Sequence, residues 1–205
     1  LERADRSRSL FLSHVSHELR TPLTSVKGFV ENLLDGLTGP LNDKQQRYLG
    51  RIVDNVGRLI RMITDLLDRT RIETGQLALS PAEVDIERCV AEVIEQLRSM
   101  AVEKHQTLTA EYPSSTLIVW ADRDRLIQIV TNLVQNAIKF TPESGSISVH
   151  VTTEQSTHAT IRICDTGPGI PPEFLEKIFD PFFRMAQEQR GASKGLGLGL
   201  SIVKT

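Results

Sequence analysis

The stretch Phe11-Leu-Ser-His-Val-Ser-His-Glu-Leu-Arg-Thr-Pro-Leu-Thr24 sets the reading of the fold, because its apolar residues keep a fixed phase. Leu12, Leu19, Val26 and Leu33 repeat every seven residues, with Val15, Pro22 and Phe29 offset by three. That is the a/d seam of a helix that packs lengthwise against others. With Leu12 at a, His17 falls at f, away from the seam, where a structural histidine would not be expected. Glu18 is its neighbour, and Thr21 lies one turn further along the same face. Pro22 has no N–H to donate to the Glu18 carbonyl, so a bend is expected there.

A solvated surface residue is the plain reading of such a histidine; a nucleophile is the other. An imidazole attacks through a neutral nitrogen, and an adjacent carboxylate can hold the second nitrogen and accept a proton. His14 and His17 also have a spacing that suits a metal, but no third ligand is evident.

Working outward, Asp35-Gly-Leu-Thr-Gly-Pro40 ends the helix. A second seam follows through Leu49, Ile52, Val56, Leu59, Ile63 and Leu66, widened by Val53, Ile60 and Leu67. Two amphipathic helices and a short loop make an αα-hairpin. One hairpin cannot bury seams this wide, so a four-helix bundle built by a homodimer is expected. Residues 1–73 form this unit, and Glu73-Thr-Gly-Gln-Leu-Ala-Leu-Ser-Pro81 opens a linker over 74–83. Residues 84–205 change character: helical patterns at 84–102 and 123–140 alternate with strand-like runs at 106–112, 116–120, 146–153 and 160–164. This order predicts a two-layer α/β sandwich with helices on one sheet face.

The 205-residue length fits one or two domains at about 100–200 residues each. A formal charge of −2 argues against nucleic acid as a partner. Cys89 and Cys164 are too isolated for a metal site and read as two buried, reduced thiols. No apolar run reaches the roughly 18 residues of a membrane span. The charged helical start and the halt inside a helix near Leu198 suggest a piece of a longer protein, with the C-terminal part of the second domain missing.

Three polar clusters mark the second domain. In Asn132-Leu-Val-Gln-Asn-Ala-Ile-Lys-Phe140, Asn132, Asn136 and Lys139 share a helical strip whose groups suit polyphosphate and Mg²⁺. An ordinary polar helix face is the alternative. Asp165-Thr-Gly-Pro-Gly-Ile170 follows a strand, and reads either as a turn or as an acid offered to an adenine amino group. Gly195-Leu-Gly-Leu-Gly-Leu200 is a glycine-rich entry to a helix, suited to phosphate but lacking P-loop and dinucleotide spacing.

Ser16-His-Glu-Leu-Arg-Thr-Pro-Leu-Thr24 closely resembles the H-box of two-component sensor histidine kinases. The three later clusters resemble that family's N, G1 and G2 boxes in order, and Phe179-Asp-Pro-Phe-Phe183 resembles its F box. The resemblance implies that ATP phosphorylates His17, with Glu18 as general base and Arg20 and Pro22 shaping the site. Thr21 is similar to the residue that positions water when such kinases dephosphorylate their partner. By the same resemblance, Asn136 binds Mg²⁺, Asn132 and Lys139 contact the nucleotide phosphates, and Asp165 reads adenine. Phe140, where a Tyr is commoner, packs in the site, joined by Gly167, Gly169, Ile170, Phe179, Gly195, Gly197, Leu198, Gly199 and Leu200. Residues 184–194 correspond to a mobile lid, with Arg190 and Lys194 as candidate phosphate contacts. A response-regulator aspartate is the implied acceptor of the phosphoryl group. Cytoplasmic placement follows, and a parent anchored in the inner membrane is compatible with it. Two rival readings stay open: an ATPase or serine kinase on a related fold, and a scaffold with a degenerate ATP site.

Overall fold

The computed structural model describes residues 2–154, 158–184, 197 and 199–204; at 2–14, 17, 69, 73 and 154 it describes the backbone alone. The chain divides into two compact units, 1–77 and 78–205.

The first unit is an antiparallel hairpin of α1 (Glu2–Leu34) and α2 (Asp43–Glu73). Helix α1 runs through Pro22. It ends where Gly36 turns left-handed at φ 77°, and Gly39 follows at φ 115°. Helix α2 starts from a full capping box. Asn42 Oδ1 accepts from the Gln45 N–H at 2.9 Å, and Gln45 Oε1 accepts from the Asn42 N–H at 2.9 Å. Across the hairpin, Arg20 donates to Thr64 Oγ1 at 3.3 Å. Val30, Val56 and Leu67 are buried. Leu19, Val26 and Phe29 on α1, and Ile52, Leu59 and Leu66 on α2, stay 41–68% exposed. On α2 the heptad pattern therefore splits, Val56 and Leu67 closing the hairpin while Ile52, Leu59 and Leu66 stay open. On α1 the buried Val30 and Ser16 lie outside the expected seam, whose members Leu19, Pro22, Val26 and Phe29 are left exposed, because the face that meets α2 is set by contact with that helix and not by the repeat.

Ser16 and Asp68 are buried in this unit. Burial, with Asp68 adding negative charge and Arg61 opposing it, raises the Asp65 carboxyl to about 6. The folded chain thus holds a proton there that the unfolded chain releases near pH 4. The stability contributed by that proton is complete below about pH 4 and lost as pH rises through about 6. Thermal melts should show Asp65→Asn melting above the native protein at pH 7.5 and converging with it at pH 4.5. Parallel pH profiles for the two proteins would exclude Asp65 as the source.

The second unit runs β1 (Ala82–Asp85), α3 (Ile86–Glu103), β2 (Thr107–Glu111), β3 (Ile118–Ala121), α4 (Arg123–Phe140), β4 (Ser146–Glu154) and β5 (His158–Asp165), and closes with the short α5 (Gly199–Val203). Strand β4 lies between β2, parallel to it, and β5, antiparallel. Strands β1 and β3 pair separately and antiparallel. Alternation in β4 sends Ile147, Val149 and Val151 into the core, against Val90 and Val93 of α3 and Val130 and Val134 of α4. These seven side chains are almost fully buried, and each such burial stabilises by about 1.5–3 kcal/mol.

The helical pattern expected from residue 84 begins two residues later. Asp85 takes the N-cap, accepting from the Arg88 N–H at 3.2 Å, and Val84 lies before it in a strand opposite Val119. A four-residue strand is too short to announce a period. Its partner thirty-odd residues on decides its conformation. Helix α4 spans the predicted residues and is capped by Asp122, which accepts from the Asp124 and Arg125 N–H groups. Those bonds, with one from the Ser80 N–H, hold the Asp122 carboxyl below its usual range.

Candidate functional site

Helix α4 buries one face in the core and turns another toward a cavity of about 440 Å³. Leu133, Asn136, Ala137 and Phe140 line it at the spacing i, i+3, i+4, i+7. Ile163 and Asp165 enter from β5, two apart and so on one face. Pro168, Gly169 and Ile170 continue the wall from the turn after β5. Ile178 and Phe179, from the single-turn 3₁₀ segment 177–179, and Leu175, just after a like segment at 172–174, close it. Phe183, Arg184 and Leu200 complete the lining. The volume suits a small-molecule cofactor, and the chemistry is an apolar slot with few polar groups.

Asp165 owes its position to its own turn. Its Oδ1 accepts from the Gly167 N–H at 2.8 Å, an arrangement that leaves Oδ2 outside the turn bond. A Cβ on Gly167 would sit 2.6 Å from Asp165 Oδ1 and 3.3 Å from the Phe140 carbonyl, so only glycine lets this turn press against the end of α4. Gly169 is left-handed at φ 70°. Thr166 Oγ1 accepts from the Ser146 N–H at 2.9 Å, tying the turn to the start of β4.

The segment 179–183 is a turn in contact with the glycine-rich entry. Phe182, left-handed at φ 63°, donates its N–H to the Gly197 carbonyl at 3.0 Å. A Cβ on Gly197 would meet the Phe183 carbonyl at 2.7 Å. Phe174 and Phe183 rings pack at 5.6 Å, and the Lys204 ammonium lies 5.3 Å from the Phe179 ring centre.

Asn136, Phe140, Asp165, Gly169, Ile170, Phe179 and Leu200 thus meet around one cavity, as lining residues. Asn132 is placed otherwise: its Nδ2 donates to the Gly199 carbonyl at 3.4 Å, joining α4 to the first residue of α5. Lys139 holds its ammonium 4.2 Å from the Phe140 ring centre. Gly167, Gly197 and Gly199 are not lining residues; a Cβ would collide with neighbours at the first two and meet only Asn132, at 3.4 Å, at the third. Gly195, Leu198, Arg190 and Lys194 lie outside the described residues, as does the expected lid beyond Arg184.

In the first unit, Glu18 and Thr21 are exposed on α1, and the His17 side chain lies outside what is described. The cavity also draws on Leu133, Ala137, Pro168, Phe183 and Arg184, which lie within the expected clusters and lid segment without having been singled out, and on Ile163, Leu175 and Ile178, which were not expected at all. Helical spacing from Asn136 would have found Leu133, Ala137 and Phe140 together, and strand alternation from Asp165 would have found Ile163. Ile178 sits in a single 3₁₀ turn and Leu175 in the turn between two of them, with no readable period. Among the described residues no cluster of three metal-ligating side chains occurs, and no helix is long and apolar enough to cross a membrane. Both cysteines are free, but only Cys89 is buried as expected; Cys164 is exposed, because alternation along β5 turns Ile161 and Ile163 inward and Cys164 outward.

Residues 7–75 match the model of the His Kinase A (phospho-acceptor) domain. Residues 121–205 match that of the histidine kinase-, DNA gyrase B- and HSP90-like ATPases. Sensor histidine kinase TmoS of Ectopseudomonas mendocina is 35% identical across 100% of this chain, which spans 21% of that protein. The structure of full-length ShkA in complex with AMPPNP covers 94% of this chain at 32% identity and a TM-score of 0.71, over 39% of its own length. The catalytic domain of histidine kinase ThkA is 33% identical with a TM-score of 0.53, covering 62% of this chain and 78% of its own. ThkA has also been solved in complex with the response regulator protein TrrA; there the likeness covers 89% of this chain and 54% of that one, at 29% identity and a TM-score of 0.58.

Proposed function

This chain belongs to the histidine kinases, and we propose that it transfers the γ-phosphate of ATP to His17 and then to an aspartate of a response regulator. The observation that supports this most is the single cavity on which Asn136, Asp165 and Leu200, drawn from three separate sequence clusters, converge. Residues 1–73 then serve as the dimerisation and phosphotransfer hairpin, 74–83 as linker and 84–205 as the ATP-binding domain.

Adenine fits the apolar part of the slot, between α4 and the wall from Ile163 to Ile170, with its amino group donating to the Asp165 carboxylate. Asn136 presents a hard oxygen donor, the kind Mg²⁺ takes alongside phosphate oxygens. The ion, when bound, neutralises charge on the phosphates. Asn132 and Lys139, on the same helix strip, are the further phosphate contacts of this reading, which requires Asn132 to leave the Gly199 carbonyl and Lys139 to swing off the Phe140 ring. At His17 a neutral ring nitrogen attacks the γ-phosphorus, the bond to the β–γ bridging oxygen breaks, and ADP leaves with that electron pair. Glu18 accepts the proton of the other ring nitrogen as positive charge builds on the imidazole. Such a transfer relies on positioning and charge neutralisation more than on covalent help from the protein.

The exposed stripe of Leu19, Val26, Phe29, Ile52, Leu59 and Leu66 supports a homodimer in which a second hairpin covers these side chains. Thr21, one turn from His17, positions water when the regulator is dephosphorylated. Incubation with γ-labelled ATP tests the proposal: label should appear only with Mg²⁺, be lost in acid and survive alkali. Acid-stable label would indicate a serine or threonine acceptor instead. Thr21→Ala should label normally and slow phosphate loss from the regulator about 100-fold, the low end of what a positioned acid–base group contributes. Equal loss rates would remove Thr21 from that role.

A further inference from the structure

Lys104 makes contacts that the proposed chemistry does not use. It is the C-cap of α3, yet its ammonium reaches the far end of α4, donating to the carbonyls of Ile138 at 2.7 Å, Lys139 at 2.9 Å and Thr141 at 3.4 Å. Gln106 reaches the same end. Its Nε2 lies 3.1 Å from the Ile138 carbonyl, 2.6 Å from that of Thr141 and 3.2 Å from that of Pro142. A helix leaves its last carbonyls without partners, and cations are favoured there by the helix dipole. Here another element supplies the partners.

The backbone is arranged for this double reach. Helix α3 ends in a Schellman motif, with the Gln106 N–H on the Ala101 carbonyl and the His105 N–H on that of Val102. His105 takes the left-handed position usually given to glycine, at φ 53°. That turn lets residues 104 and 106 both face α4. Gln106 is 7% exposed, and its Oε1 has no hydrogen-bond partner. Contact between its amide and the carbonyls therefore sets its orientation, at the cost of a buried acceptor. The same turn between α3 and β2 fastens the loop after α4, through the Ser144 N–H on the Lys104 carbonyl and the Thr107 N–H on the Gly145 carbonyl.

What this clamp holds is the part of α4 that meets the cavity. Asn136, Ala137 and Phe140 line it, and the Phe140 carbonyl is the surface against which the Asp165–Gly167 turn rests. We propose that Lys104, with Gln106, is a positioning residue of the nucleotide site: its ammonium, seated among three main-chain carbonyls, sets the end of α4 against the Asp165 turn. The inference rests on the nucleotide reading of the cavity. Three carbonyls around one ammonium form a cradle that a small cation can enter when the lysine is shortened or discharged.

The test is titration of the whole chain with a fluorescent ATP analogue, in ammonium chloride and in tetramethylammonium chloride at equal ionic strength. Lys104→Met should weaken binding about tenfold or more, since a small displacement of a binding group is costly. Ammonium should restore most of the loss, tetramethylammonium none, and the native protein should be indifferent to the choice. Val93→Ala, a core change on α3 outside the cavity, should lower the melting temperature and leave affinity unchanged while folded. Native affinity in Lys104→Met, or equal affinity in the two salts, would overturn the proposal. So would a loss in Val93→Ala that matches the one in Lys104→Met. If Lys104→Met does not fold, Lys104→Gln takes its place in the same salt comparison, with the same outcomes deciding. A native protein that binds no nucleotide defeats the underlying site reading, and that result is distinct from a failure of rescue.

Discussion

Replacing His17 by alanine should abolish labelling by γ-labelled ATP and leave nucleotide affinity unchanged. The loss expected when the attacking atom itself is removed is at least about 10³-fold, because nothing else in the site can form the bond. Binding survives because the residues proposed to hold ATP belong to the other unit, 78–205. The contrast is the informative part. A variant that neither labels nor binds has lost its fold, and a variant that still labels has its acceptor elsewhere. His14, one turn earlier and also in α1, is the control: His14→Ala should label as the native chain does. Equal labelling in His17→Ala and the native protein would end the phosphoacceptor assignment.

Asp165→Asn should weaken ATP binding by about 10–100-fold while keeping the fold. The substitution preserves size and an acceptor oxygen, so the bond from the Gly167 N–H that shapes the turn can persist. What changes is the outward group, which becomes an NH₂ facing the adenine amino group, donor against donor. Losing a hydrogen bond to a charged group costs about 1.5–3 kcal/mol, and leaving a donor unpaired in an apolar slot adds to that. GTP presents a carbonyl at the corresponding position of its base, so it should lose less affinity than ATP. Calorimetric titration with both nucleotides checks this, and equal losses for the two would show that Asp165 acts on the turn and not on the base.

Much of this site was legible before any coordinates, for reasons that differ by element. Helix α4 announces itself by period, and Asn132, Asn136 and Lys139 fall on one strip by arithmetic. The strip is nonetheless divided in use. Asn136 lines the cavity, Lys139 lies over the ring of its neighbour Phe140, and Asn132 is engaged by Gly199, a partner remote in sequence that spacing does not reveal. The lower wall was illegible: Leu175 and Ile178 belong to single turns with no repeating pattern to read. The pattern around 82–85 gives only helix or linker where strand β1 forms, since four residues have no period and take their conformation from β3.

Local pattern by itself determined the two-unit order, the hairpin helices and the f-phase of His17. It also placed an acid after a strand and glycines before a helix. Each of these depends on neighbours within a few residues, where helix and strand geometry convert spacing directly into direction. Only the tertiary structure decided which seam residues close the hairpin and which stay open. It alone decided which members of the polar strip reach the cavity, and it alone seated Lys104 on the end of a helix more than thirty residues away. Those outcomes depend on contacts between distant segments, which spacing along the chain does not encode.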